Sequence, residues 1–355
     1  MPNNFFVFSK TKAIRDLTNS LFLFYDDALL PLSIRLAMKV ILKALCLFFL
    51  LPCGCHARVP SFEPFLGIMA PKKYTPKHSP ELYFETGNNY FKDKKFKQAL
   101  LCFGMITHHF PEHALLPKAQ FLTGLCYFEL GHPDLADKAL TRYQELAGTE
   151  YSEQLFAVKY SIAQSFANGK RKNVVPLEGF PKLLNAEADA LRIFDEIVTA
   201  SSDTALKASA LYAKGALLLN RKEYGEAIKT LKKVSLQFPS HPLSPEAFTL
   251  IAKIYCLQAL QEPYNEQYLQ DARVNAASLR KQHPNHPSNT EVMHYIHQMS
   301  EAYASCLYST GRFYEKKRKA SSAKIYYSMA LENFPETSYV SKCTKRLERL
   351  SKQIS

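Results

Sequence analysis

Reactive side chains are few, and most of them are thiols. Cys53 and Cys55 close the stretch Leu50-Leu51-Pro52-Cys53-Gly54-Cys55, directly behind an apolar run from Val40 to Leu51. Two thiols so close behind an apolar run are the first candidates for chemistry. Five further cysteines (Cys102, Cys126, Cys256, Cys306 and Cys343) lie far apart inside predicted helices. An odd set cannot pair completely within one chain, so buried free thiols are expected. His294 and His297 sit three apart on one predicted helix without an acidic or cysteine companion at ligand spacing, which reads as polar surface and not as a metal site. Phosphate loops of the GxxxxGK type, GxSxG, HExxH and paired CxxC are absent. No catalytic residue, metal or cofactor is expected, and the chain reads as a non-enzyme whose work is recognition.

Recognition needs a surface, and the elements that would position one are legible as a repeat. Gly215 is followed after 12 residues by Ala227 and after 24 by Pro239, and the same ladder runs Gly87, Ala99, Pro111 and Gly311, Ala323, Pro335. Small residues at these points let two helices of a hairpin approach closely, and the proline stops the second helix. Bulky residues fall between them at helical spacing, such as Tyr90, Phe103 and Ile106, and Tyr314 and Tyr327. The pattern resembles the tetratricopeptide repeat, with Tyr83, Leu211 and Leu307 in place of the usual early tryptophan, since the chain has none. The expected fold is all-α, a right-handed tetratricopeptide-repeat α-solenoid with a C-terminal capping helix.

Length and composition fit that reading. The chain has 355 residues, 47% of them hydrophobic, with 12 Gly and 20 Pro spread as punctuation. Its net charge is +13, which opens the question of nucleic acid or an anionic surface. The basic clusters Lys92 to Lys97, Lys170 to Lys172 and Lys316 to Lys319 fall at predicted helix turns and no recognition helix emerges, so they read as a solvated rim and nucleic acid is not an expected partner.

Taken in order, residues 1–37 fit no element and are expected to be an upstream extension, with Met38 as the start. Residues 38–55 form a signal peptide, since an apolar run of 12 is too short to span a bilayer. Its end resembles the lipobox of bacterial lipoproteins, with Cys55 as the acylated residue and Cys53, behind Pro52, the poorer acceptor. Residues 56–79 are a Pro-rich tether. An N-terminal half, 80–207, holds three repeats, the third interrupted by an insertion at Asn168 to Leu184. A C-terminal half, 208–355, holds three more, the fifth being eight residues too long around Glu262 to Tyr268. Ser338 to Lys352 forms the cap that terminal repeats require.

In this repeat the first helix of each unit lines the concave face. Positions there that do not serve helix packing are Phe84, Asn88 and Phe91 in repeat one and Phe121, Leu125 and Phe128 in repeat two. They either form an apolar groove that binds a peptide backbone or terminal carboxylate, or pack beneath the neighbouring repeat or the tether.

Lipobox, tether and solenoid together resemble the BamD family of outer-membrane lipoproteins. The likeness runs through Leu82-Tyr83 to Pro111, Lys118-Ala119-Gln120, Tyr127 to Leu130, and from Tyr303 through Asn333-Phe334-Pro335-Glu336-Thr337-Ser338 to Arg346-Leu347. It implies an adaptor on the periplasmic face of the bacterial outer membrane, lipid-anchored, that helps insert β-barrel proteins. Its N-terminal repeats would receive unfolded barrel precursors and its C-terminal repeats would dock on the periplasmic repeat domains of a central barrel subunit. Six units stand where the family has five, and Tyr326 stands where the family has an arginine. The alternative is a periplasmic lipoprotein of the same repeat that scaffolds cell-wall or envelope enzymes.

Overall fold

Four glycines set how closely paired helices approach. A Cβ on Gly215 would lie 2.6 Å from the Leu231 side chain, and the same encounter recurs between Gly87 and Phe103, Gly124 and Leu140, and Gly311 and Tyr327. Each partner lies sixteen residues on, so the sequence ladder is a packing rule: a bare Cα makes room for one large side chain of the next helix. Ala99, Ala227 and Ala323 are wholly buried within the same hairpins.

The computed structural model describes residues 76–146, 150–173 and 182–352, all within one unit, Pro60–Ser355. The readings placed on residues 1–75, including the extension, the signal peptide, Cys55 and nearly all of the tether, lie outside the described residues. The described residues form an all-α solenoid of six helix pairs and a closing helix. The pairs are α1 (Pro80–Lys92) with α2 (Phe96–His109), α3 (Leu116–Glu129) with α4 (Pro133–Glu145), α5 (Ser152–Ala167) with α6 (Glu187–Ala200), α7 (Thr204–Asn220) with α8 (Tyr224–Gln237), α9 (Leu243–Gln261) with α10 (Gln267–Gln282), and α11 (Ser288–Lys316) with α12 (Ala320–Asn333). Helix α13 (Val340–Lys352) follows.

Turn chemistry is shared as closely as packing. In five pairs the first helix ends on a residue in the left-handed region: Lys94, Gly131, Gly169, Lys222 and Arg318, with φ between 58° and 87°. Each turn makes the two hydrogen bonds of a Schellman cap, as where Lys222 N donates to Leu219 O and Glu223 N to Leu218 O. Three second helices end at Phe110, Phe238 and Phe334, each followed by the ladder proline. At the start of α1, Ser79 Oγ accepts from Leu82 N, and at the start of α7, Asp203 accepts from Ala205 N and Leu206 N.

Two pairs depart from the rule. The extra residues of the fifth begin earlier than Glu262: α9 runs nine residues past Ala252, whereas α7 runs five past Gly215, so about one turn of the insertion is helical. A further lengthening falls between one ladder and the next. Pro239 to Ala252 is 13 residues but Pro284 to Gly311 is 27, and the surplus forms the N-terminal half of the 29-residue α11, which packs along α9. In the third pair, the insertion after α5 contributes β1 (Lys172–Asn173) and β2 (Lys182–Leu184), paired antiparallel. The insertion is tied back to the second pair, because Asn173 N donates to Asp134 Oδ2 at 3.2 Å and Lys182 Nζ to Gly131 O at 2.6 Å.

The core is continuous but graded. One cluster of buried side chains runs from Ala99 to Leu217, a second from Leu211 to Phe334, and a third from Ala323 to Leu350. Helix α7 serves the first two, with Leu217 in one and Leu211 and Leu218 in the other. Of the five described cysteines, Cys126, Cys256 and Cys343 are buried and unpaired as expected, while Cys102 and Cys306 are only half-buried.

Candidate protein-binding groove

First helices of successive pairs approach one another, α3 to α5, α5 to α7, α7 to α9 and α9 to α11, whereas second helices meet through long side chains, as where Arg192 of α6 reaches Asp137 of α4. The first-helix layer is therefore the inner one, and its free positions face whatever the solenoid holds.

Of the six groove residues expected from sequence, five are half-buried: Phe84, Asn88 and Phe91 on α1 and Leu125 and Phe128 on α3. Their apolar members rest one side on the first core cluster and leave the other side open. The Phe84 ring lies 6.0 Å from that of Phe103, and Phe91 meets Phe96 edge-on at 5.5 Å. Phe121 is a correction. It is 2% exposed, stacked on Tyr151 at 4.6 Å between ring centroids, with Tyr143 5.3 Å away. Tyr151 N donates to Tyr143 Oη at 2.9 Å, so the chain entering α5 folds over Phe121 and closes that part of the groove.

The structure extends the inner face beyond these residues. Phe84 and Phe121 each stand three residues before the ladder glycine, and the same place is held by Tyr160, Tyr212 and Tyr308, with Thr249 in the fifth pair. All three tyrosines are half-buried. Reading the ladder one step outward from each small residue would have found them. Their hydroxyls make this face more polar toward the C-terminus. Gln164 Nε2 donates to Tyr160 Oη at 2.9 Å. Burial, with Glu246 and Glu291 nearby, pushes the Tyr212 phenol up to about 12. Tyr308 is held below its ordinary value by hydrogen bonds from Arg312 and Arg346, burial acting the other way. Where a family arginine was noted as missing, Tyr326 stacks on Tyr314 at 5.3 Å, nearly parallel.

On the other side of the first pairs, a cavity of about 840 Å³ opens, lined by Thr107, Gln120, Asp137, Arg142 and Arg192 among others. Its wall holds a buried charge network. Lys159 is 0% exposed and donates to Glu196 at 2.5 Å and Thr141 at 3.3 Å, with Asp137 3.9 Å away. Arg192 pairs with both Asp137 and Glu196. Burial pushes the Asp137 carboxyl up against the pull of Arg192 and Lys159. The network clamps α4, α5 and α6 together, which gives it a structural role. His294 Nε2 meets Gln298 at 2.9 Å, and His297 lies 3.8 Å from Glu301. Among the described residues no group of three or more His, Cys, Asp or Glu could hold a metal, and no helix is long and apolar enough to cross a membrane.

Residues 118–147, which hold α4 and all but the first two residues of α3, match the tetratricopeptide-repeat family model. The fold is a tetratricopeptide-repeat solenoid. Residues 204–355, from α7 to the end, match the family model YfiO, described as an outer membrane lipoprotein. No curated protein matches the chain. Among solved structures, a tetratricopeptide repeat protein from Parabacteroides merdae is similar at 12% identity and a TM-score of 0.35, over 77% of this chain and 98% of that one. The type IV pilus biogenesis factor PilW is similar at 15% identity and 0.29, over 76% and 97%. The apo form of RapI is similar at 14% and 0.34, over 76% and 99%.

Proposed function

We propose that this protein is an adaptor of the BamD type, anchored by lipid at Cys55 to the periplasmic face of the outer membrane, that takes part in assembling β-barrel proteins. The observation that carries the reading is the match of residues 204–355 to an outer membrane lipoprotein family on a tetratricopeptide scaffold. In this reading the half at 80–207 receives unfolded barrel precursors and the half at 208–355 docks on the periplasmic repeat domains of a central barrel subunit. The physics of the groove supports the first role. Unfolded barrel strands alternate apolar and polar side chains and carry aromatic girdles. Half-open rings at Phe84, Phe91 and Phe128, with the Asn88 amide among them, suit an extended chain whose every second side chain is apolar.

A photocrosslinker at Asn88 in cells tests this. Barrel precursors should be captured at Asn88, depletion of the protein should lower barrel protein levels, and a pull-down should recover a barrel subunit with periplasmic repeat domains. Recovery of cell-wall hydrolases or synthases, with barrel levels unchanged on depletion, would overturn the reading in favour of an envelope-enzyme scaffold.

A further inference from the structure

The strongest electrostatic feature lies at the far end from the groove. Residues 312–352 carry eleven Lys and Arg against four Glu, an excess of seven out of the chain's +13. Topology gathers these charges. Along α13, Ser338 is held by Glu301, Tyr339 packs on Tyr308 and Arg346 pairs with Glu315. Helix α13 therefore runs alongside α11 in the same direction, and its last turn arrives level with the α11–α12 turn. Lys316, Lys317, Arg318 and Lys319 of that turn and Arg349 and Lys352 of the last turn of α13 are thereby directed to one tip of the solenoid, all six exposed. Internal pairing does not use them up: among the described residues no acidic group lies within 4 Å of Lys316, Arg318, Lys319, Arg349 or Lys352, while Arg346, deeper in, has Glu315. At the foot of the tip stands Phe313, 55% exposed, with Lys317 Nζ 5.8 Å above its ring.

We propose that this tip is a docking surface for an anionic phospholipid membrane. Clustered exposed cations each add to attraction toward anionic headgroups and fade within a Debye length. An exposed aromatic at their edge suits the headgroup boundary, where rings settle. The charges form a compact tip. A single strand of nucleic acid calls for a groove that tracks several phosphates, and a duplex for an element that enters one of its own grooves. The inference rests on neither the acyl anchor nor the proposed role in barrel assembly, and it would lay the C-terminal cap against lipid whichever partner the solenoid serves.

The chain contains no tryptophan, so F313W places a single emitter at the tip of the full-length protein and reports that point alone, whatever residues 40–51 do. With phosphatidylglycerol–phosphatidylcholine vesicles, F313W emission should shift to the blue and be quenched by brominated lipid. The affinity should be at least about tenfold weaker for pure phosphatidylcholine, and the shift should vanish in about 0.5 M salt. Adding K316E, R318E and R349E, all at exposed positions, should abolish the shift while far-UV circular dichroism stays unchanged. L236W, on exposed α8, should not respond. No shift on anionic vesicles, an equal shift on both lipids, a shift that survives the charge reversals, an equal response from L236W, or a stronger response to a DNA duplex at matched phosphate would each overturn the proposal.

Discussion

Lys222 occupies the left-handed region with φ of 62°, as Lys94 and Arg318 do at the same turn of other pairs, and glycine holds that place at Gly131 and Gly169. A Cβ there costs about 1–2 kcal/mol, partly offset by the greater chain entropy that glycine loses on folding. K222G should therefore stabilise the protein by about 0.5–1 kcal/mol, read as a higher urea midpoint at constant slope. Lys159 argues the opposite sign. Its ammonium is wholly buried between Glu196, Thr141 and Asp137, and removing it leaves the two carboxylates to the half-exposed Arg192 alone. K159M should cost about 3–5 kcal/mol, and a loss below about 1 kcal/mol in the same titration would show that water reaches the site. Neither residue stood out in the sequence. A lysine at position 159 reads as surface until the fold brings Glu196 to it across 37 positions, and a lysine at 222 looks like a solvated turn because, unlike glycine, it gives no sign of a left-handed backbone.

At the scale of helices, what was legible is what the packing forbids to vary. The ladder of Gly215, Ala227 and Pro239 could be read because a larger residue at Gly215 meets Leu231 at 2.6 Å. The surplus turns of α11 show in the sequence only as a long interval from Pro284 to Gly311, because a helical insertion keeps the apolar period and leaves no loop signal. Phe121 was misplaced for a related reason: its repeat position is a groove position, and only the path of the chain into α5 shows Tyr151 covering it. Two predictions belong here. G311A drives a methyl into Tyr327, 2.6 Å away and wholly buried, so it should cost about 1–3 kcal/mol, whereas G225A, with nothing within 4 Å, should cost nothing measurable by the same titration. The second concerns the seat of α13. Glu301 accepts from Ser338 N at 2.6 Å and Ser338 Oγ at 2.8 Å. Burial pushes its carboxyl up, but the Ser338 hydrogen bonds with His297 and Lys342 outweigh this and hold it below its ordinary value of 4.5. A carboxylate with a depressed folded value stabilises above the unfolded one and loses that contribution as pH falls. Amide exchange in α13 should therefore speed up as pH drops below about 4.5, relative to α12. In E301Q the faster exchange should already be present at pH 7 and show no further acid step.

Over the whole solenoid, stability should be local, because each pair packs mainly on its neighbours, and this can be tested by removing the cap. The third core cluster, Ala323, Tyr327, Ala330, Cys343 and Leu350, depends on α13 for two of its five buried members. A chain ending at Ser338 would uncover Tyr327 and Ala330 while leaving the first cluster, Ala99 to Leu217, untouched. Helix α11 belongs to two clusters at once. Its N-terminal half contributes Val292, Ile296, Met299 and Tyr303 to the second, and beyond Leu307, which borders both, it serves the third. Hydrogen exchange on the truncated chain should show α12 and residues 308–316 losing protection, the boundary falling inside one continuous helix, with α1 to α8 unchanged. Loss of protection spread evenly over all six pairs would mean that the solenoid unfolds as one unit and that the three clusters are not separate steps of stability.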